Sequence, residues 1–303
     1  MRSEISYVTK MAGCARDGAG LSCFPPATAH AQKECTPTVV GTLETFELPS
    51  KVFDFTRTVR VFLPPGYSDA ANRERRYPVL YMFDGQNLFD ACLAYDHIHE
   101  WQMDETVTRL VGENKIEPLI VVGLDNAKEK RAFEYLPWTD NLRNPGAAAT
   151  AGDRLPEFLI KEVMPAIASK YRIAPGRENT GIGGSSYGGI AALYVEFAYP
   201  PSSAKCWPRA RTCFRATERW CAGRPTWRWR RRKSTWLTAG KKGTGRKEMT
   251  PRCGMIRQVE ANLKNALVSP SEVKIVLDPE AHHNEEAWAK RLPEAIRFLF
   301  PAR

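Results

Sequence analysis

The sequence contains no apolar run long enough to cross a membrane, so no helical membrane span is expected. None of its eight cysteines stands in Cys-x-x-Cys spacing, which removes the common zinc and redox arrangements. A chain of 303 residues has no need of a disulfide framework, and cysteine usage says little about compartment. Acidic residues are almost missing from one stretch: between Lys205 and Cys253 only Glu218 and Glu248 face 16 Lys and Arg, a local charge of +14. The net charge of +10 is therefore the property of one segment, and the rest of the chain sums to −4. That distribution argues against reading the whole protein as a binder of nucleic acid or membrane surface.

The composition is otherwise that of a globular protein, 43% hydrophobic, and long enough for one large α/β domain. Residues 1–38 show no periodicity. Ala29-His30-Ala31 resembles a signal-cleavage triplet, but Lys10, Arg16 and Asp17 interrupt any apolar core before it. The reading is a poorly specified leader, with the cytoplasm favoured over secretion. From Val39 a single domain is expected to run to residue 303. Thr42–Leu48 and Thr58–Leu63 alternate apolar and polar residues, as half-buried strands do. Pro78–Phe83 and Pro118–Leu124 are continuously apolar, the pattern of strands buried on both faces. Asp104–Val111, Asp153–Tyr171, Met255–Leu267 and Glu285–Phe300 have helical periodicity, and Val273–Leu277 reads as a last strand. Ala127–Ala151 reads as a long loop. Alternating buried strands and amphipathic helices predict an α/β fold, a mostly parallel central sheet with helices on both faces.

The most informative stretch is Gly183-Gly184-Ser185-Ser186-Tyr187-Gly188-Gly189. A strand-like run (Asn179–Ile182) precedes it and a helix-like run (Ile190–Glu196) follows. Gly184-x-Ser186-x-Gly188 matches the nucleophile elbow, in which a serine sits on a strained strand-to-helix turn. Side chains two residues to either side would collide, so glycine is wanted at both flanks. The same turn leaves the backbone N–H of Tyr187 at a helix N-terminus, where developing negative charge is favoured.

Three blocks in fixed order carry a family resemblance. They are Tyr77-Pro78-Val79-Leu80-Tyr81-Met82-Phe83-Asp84-Gly85-Gln86-Asn87-Leu88-Phe89-Asp90, the elbow, and His283-Asn284-Glu285-x-x-Trp288 followed by Arg291-Leu292-Pro293. Together they resemble the putative-esterase branch of the α/β-hydrolases, which includes enterochelin-esterase-like and esterase-D-like enzymes. The resemblance implies an α/β-hydrolase fold and a serine esterase acting on a small-molecule ester without metal or other cofactor. It implies Ser186 as nucleophile and His283 as general base, with His282 as the neighbouring alternative. Tyr187 supplies one oxyanion N–H, and Gln86, in the loop after the first buried strand, is the candidate for the second. Asp84 and Trp101 are expected to line the substrate cleft. Asp96-His97-Ile98-His99-Glu100 has two histidines at strand spacing, but it is read as a solvated or lid loop and not as a metal site.

What the resemblance calls for and the sequence does not provide is the triad acid. In that family it follows the strand after the elbow helix. Here the corresponding stretch is Trp236–Gly243, with Thr238 where the acid belongs, and no Asp occurs between Asp153 and Asp278. Asp278 and Glu280, just before His283, are the available substitutes. Between Cys206 and Cys253 both structural periods vanish, and the segment holds eleven Arg and five of the eight Trp. A sheet disrupted around 202–253 is therefore expected. Such composition is what a GC-rich gene gives out of frame. Codons for Leu237–Gly243, read two nucleotides later, can spell Asp-Gly-Gly-Gln-Glu-Gly, and resequencing that found an intact frame would remove this hypothesis. Two alternatives to an active esterase follow: a catalytically impaired pseudoenzyme, or a protein whose Arg/Trp segment binds phosphates and stacks on bases. Nothing periodic frames the segment, so nucleic acid is not the expected partner.

Overall fold

The computed structural model describes residues 35–138, 149–198, 205–209, 234–240, 273–278 and 281–302. By compactness the chain divides into Met1–Cys35 and Thr36–Arg303, and everything below concerns the second unit. Within it lies one eight-stranded sheet of order β1-β2-β4-β3-β5-β6-β7-β8. The strands are β1 (Thr42–Pro49), β2 (Thr56–Leu63), β3 (Val79–Phe83), β4 (Ile120–Leu124), β5 (Thr180–Ser185), β6 (Lys205–Arg209), β7 (Ser234–Gly240) and β8 (Val273–Asp278). β1 and β2 form an antiparallel meander that joins β4, and every pair from β4 to β8 is parallel.

The alternation of each strand decides which helices it meets. Val59, Val61, Val79, Tyr81, Phe83, Ile120 and Val122 share a core with Leu155, Phe158, Val163, Ile190 and Val195. Those residues come from α3 (Leu155–Phe158), the π turn and α4 (Met164–Lys170) that continue it, and α5 (Tyr187–Ala198). The intervening strand positions, Phe62, Leu80, Met82 and Val121, face the other way. They pack with Val107 and Leu110 of α1 (Met103–Gly112) and with Leu292, Ile296 and Leu299 of α6 (Glu285–Leu299). Helices on both faces and fully apolar central strands are the arrangement that the sequence pattern predicts.

Two differences from the sequence reading matter. The loop expected over Ala127–Ala151 contains a short helix, α2 (Arg131–Tyr135), and it will prove central. The segment whose pattern collapses nonetheless contributes two strands, β6 and β7, so the sheet continues from β5 to β8. Parallel pairing is made by backbone groups and needs no particular side-chain alternation. The rest of 202–253, and the helix expected at Met255–Leu267, lie outside the described residues. Cys92 is disulfide-bonded, a feature that the sequence does not announce.

Candidate active site

The elbow is built as its glycines require. All six residues of β5 are buried, and the chain then turns through Ser186 at φ +54° into α5. A left-handed serine costs roughly 1–3 kcal/mol of backbone strain, a cost typical of functional sites. A Cβ on Gly184 would lie 2.6 Å from the carbonyl carbon and oxygen of Gly188, so the turn closes only with glycine there. A Cβ on Gly188 would lie 2.7 Å from a carboxylate oxygen of Asp84. This second contact ties the elbow to the loop after β3. Between Gly181 and Leu193 only Ser186 and Tyr187 are more than marginally exposed.

That loop, a strap of Asp84, Gly85 and Gln86, begins with Asp84 in the left-handed region (φ +62°) and closes as a 3-10 turn over Gly85–Asn87. It lies directly on β4: a Cβ on Gly85 would meet the Gly123 carbonyl carbon at 2.5 Å, so glycine is obligatory. From Tyr77 to Ala91 every residue is buried except Gln86, which is half exposed. Among the described residues, neither the Gln86 N–H nor the Tyr187 N–H serves a loop or turn hydrogen bond. The parallel register sets Met82 of β3 beside Gly183 of β5. The strap and Ser186 therefore leave the sheet at neighbouring C-terminal ends, where open α/β sheets place their ligands.

The strap is fixed by buried polar groups. Arg131 of α2 binds Asp84 through both arms of its fork, Nε to Oδ1 at 2.6 Å and Nη2 to Oδ2 at 2.7 Å. Asn126 Nδ2 donates to Asp84 Oδ1 at 2.7 Å, and the Asn126 N–H donates to Gln86 Oε1 at 3.1 Å. The Asp84 N–H donates to the Tyr135 hydroxyl at 3.1 Å. Burial would lower the pKa of Arg131, but the Asp84 carboxylate beside it raises it, so the guanidinium stays charged at any working pH.

The histidine arm arrives from farther off. β8 lies three strands from β5, roughly 14 Å at the usual strand spacing, so the chain must return across the sheet end. Asn284 caps α6 by accepting from the Ala287 N–H at 3.1 Å, and Glu285 and Glu286 suit the positive end of the helix. Asn87 Nδ2 then donates to Glu285 Oε1 at 3.3 Å, which joins the histidine arm to the strap. Trp288 packs at a tilt against Trp101, ring centroids 5.5 Å apart, and receives the His283 ring edge-on at 5.1 Å. His283 and His282 are both exposed. Burial, with the nearby Asp96 and Asp84 charges, pushes Glu285 up to about 7.

Other expected site residues fall elsewhere. Asp84 (2% exposed) and Trp101 (0% exposed) are both buried. The first is the anchor of the strap and the second is core, because each is enclosed by the elements that it holds together. Asp278 accepts from the Ala281 N–H at 3.1 Å and from Arg291 Nη1 at 3.2 Å, while Glu280 lies outside the described residues. Thr238 sits within β7, paired with Val276. The two loop histidines do not converge: His97 Nδ1 meets the Cys92 carbonyl at 2.9 Å, and His99 Nδ1 meets Asp96 at 2.8 Å. Three carboxyls, Glu100, Asp104 and Glu105, come within 4.8 Å of one another. Burial pushes Asp104 up to about 8 and Glu100 up to about 7, so protons shared among them relieve the crowding.

The positions that sequence reasoning missed are Asn126, Arg131 and the linking roles of Asn87 and Glu285. The last two stood inside the quoted blocks. Arg131 carried no local signal.

Residues 50–299 match the putative-esterase family. The chain belongs to that family. Among solved structures of this fold, an IroE-like serine hydrolase from Shewanella oneidensis superposes with a TM-score of 0.60 at 21% identity, covering 86% of this chain and 80% of its own. The siderophore hydrolase EstA from Aspergillus nidulans gives a TM-score of 0.61 at 18% identity, covering 87% and 97%. Identities this low make them relatives in fold, and the fold is that of the α/β-hydrolases. A curated relative, the uncharacterised protein YbbA of Bacillus subtilis, is 23% identical over 159 residues, 49% of this chain. The match spans about half of that protein's length, 54%.

Proposed function

We propose that the protein hydrolyses a small-molecule carboxylic ester through an acyl-enzyme on Ser186, with His283 as general base. The observation that carries this reading is the left-handed Ser186 at the end of a buried strand, locked by Gly184 and Gly188. His283 takes the Ser186 proton as Oγ attacks the ester carbonyl. The oxyanion forms between the backbone N–H groups of Tyr187 and Gln86, and the alcohol leaves with the proton from His283. Water, deprotonated by the same imidazole, then releases the carboxylic acid. Membership of the family supports an ester as substrate, and the neighbours named a siderophore hydrolase and a ferulic acid esterase set the first substrate panel.

One observation favours a second reading, an impaired enzyme. Asp278 already serves Arg291 and the Ala281 N–H, so of the two substitute acids the described one has a structural post. Loss of the acid with serine and histidine retained lowers the rate by roughly four orders of magnitude.

Labelling with a fluorophosphonate probe separates these cases. An active or impaired hydrolase labels, and Ser186→Ala abolishes labelling; an active one also turns over p-nitrophenyl, feruloyl or siderophore esters. Labelling that survives Ser186→Ala, or no labelling and no turnover at all, would remove the esterase reading.

A further inference from the structure

Arg131 contacts three parts of the proposed catalytic frame. Its fork grips Asp84, the residue at the head of the strap. Its Nη2 also reaches the carbonyl of Ser185, the residue before the nucleophile, at 3.4 Å. Its guanidinium lies 5.3 Å from the ring centroids of both Tyr135 and Tyr187. One planar cation thus touches the strap two residues before Gln86, the elbow one residue before Ser186, and the residue that offers the other oxyanion N–H. Asp84 completes the link from the opposite side, its Oδ2 filling the space that Gly188 leaves open.

We infer that Arg131 is a positioning residue that holds the Gln86 and Tyr187 N–H groups in register with each other, so that both point at one oxyanion. The inference rests on the esterase reading and adds to it the part that sets the geometry of the hole. The physical case is the fork. Two parallel N–H···O bonds fix the orientation of the Asp84 carboxylate as well as its distance, which a single ammonium cannot do. Oxyanion stabilisation depends on donors being pre-aimed, so a strap allowed to tilt weakens binding of the transition state and leaves substrate binding nearly intact. The side chain of Arg131 is 25% exposed and that of Asp84 is 2% exposed, so the pair is shielded from solvent and little screened by salt.

The test is Arg131→Lys in the full chain, which keeps the charge beside Asp84 and removes the fork. The expected result is a kcat lowered about 100-fold with KM within about threefold. Affinity for a trifluoromethyl ketone, which forms the tetrahedral adduct, should fall by a similar factor, and affinity for the product acid should not. Asp84→Asn, which preserves shape and breaks one of the two fork bonds, gives the same pattern and stands in if the lysine variant does not fold. A folded variant of either kind that turns over at the wild-type rate overturns the inference. So does a loss shared equally by substrate, product and adduct, since that is the mark of general structural damage. A wild-type protein that fails to label at Ser186 strikes the esterase reading; one that labels while the variants match it strikes only the role of Arg131.

Discussion

The two halves of the site are held in different ways. On the nucleophile side, glycines pack backbone on backbone at Gly85 and Gly184, and a buried ion pair with three further hydrogen bonds fixes the strap. On the base side, His283 is exposed and rests edge-on against one tryptophan, on an arm joined to the strap at 3.3 Å. The lesson is one of division of labour. The proposed oxyanion frame is built rigidly, and the imidazole proposed as base is left at the surface.

That contrast makes separable demands. The largest expected effect on activity with the least on stability belongs to the base side. His283→Ala should lower turnover by roughly four to six orders of magnitude while Tm moves by no more than about 2 °C, as for an exposed residue. If His282→Ala abolishes turnover and His283→Ala does not, the arm carries its base one residue earlier. The nucleophile side should respond in the opposite sense. Gly188→Ala must displace Asp84 Oδ2, which leaves only 2.7 Å for the new methyl. It should destabilise by about 1–3 kcal/mol, read as a lower Tm together with a lower kcat. An unchanged Tm would show that the strap yields freely and would erase the contrast.

The smallest effect is electrostatic. Glu285, Glu100 and Asp104 are pushed up to about 7, 7 and 8, chiefly by burial. Above about pH 4 the unfolded chain has released these protons while the folded protein keeps them. Stability is therefore greatest at the acid end of this window, falls as pH rises through it, and levels off above about pH 8. Thermal denaturation from pH 5 to 8 should show Tm declining by a few degrees, and Asp104→Asn should flatten the slope. A Tm that rises with pH across this range would contradict the assignment.

The sequence announces the elbow, the central strands and the long helices because each repeats a period over enough residues to be read. Ser186 and Tyr187 are proposed from the elbow motif, and Gln86 and His283 from the family resemblance, each at the end of one of those elements. Arg131 is not legible, because α2 has five residues, too few to show a helical period, and its partner Asp84 is 47 positions away. Ion pairing across such a span is a fact of packing that no local pattern encodes. β6 and β7 are hidden for another reason. Their sequences show no apolar–polar alternation, and the ladder that places them is made by the main chain. Asp84 and Trp101, expected to line the cleft, are buried; a block of residues shows proximity and not the direction in which a side chain faces.

Gln86 is the lone half-exposed position in a buried stretch, and in the proposed mechanism what it offers the oxyanion is a main-chain N–H. Work of that kind leaves no signature in side-chain replacement. A saturation scan of the strap would score Gly85 as intolerant and position 86 as permissive, although the proposal gives the second the chemistry and the first only room for it. An engineer could therefore treat residue 86 as a free handle at the mouth of the site, where a larger or charged side chain would meet incoming substrate while the donor beneath it remains in place.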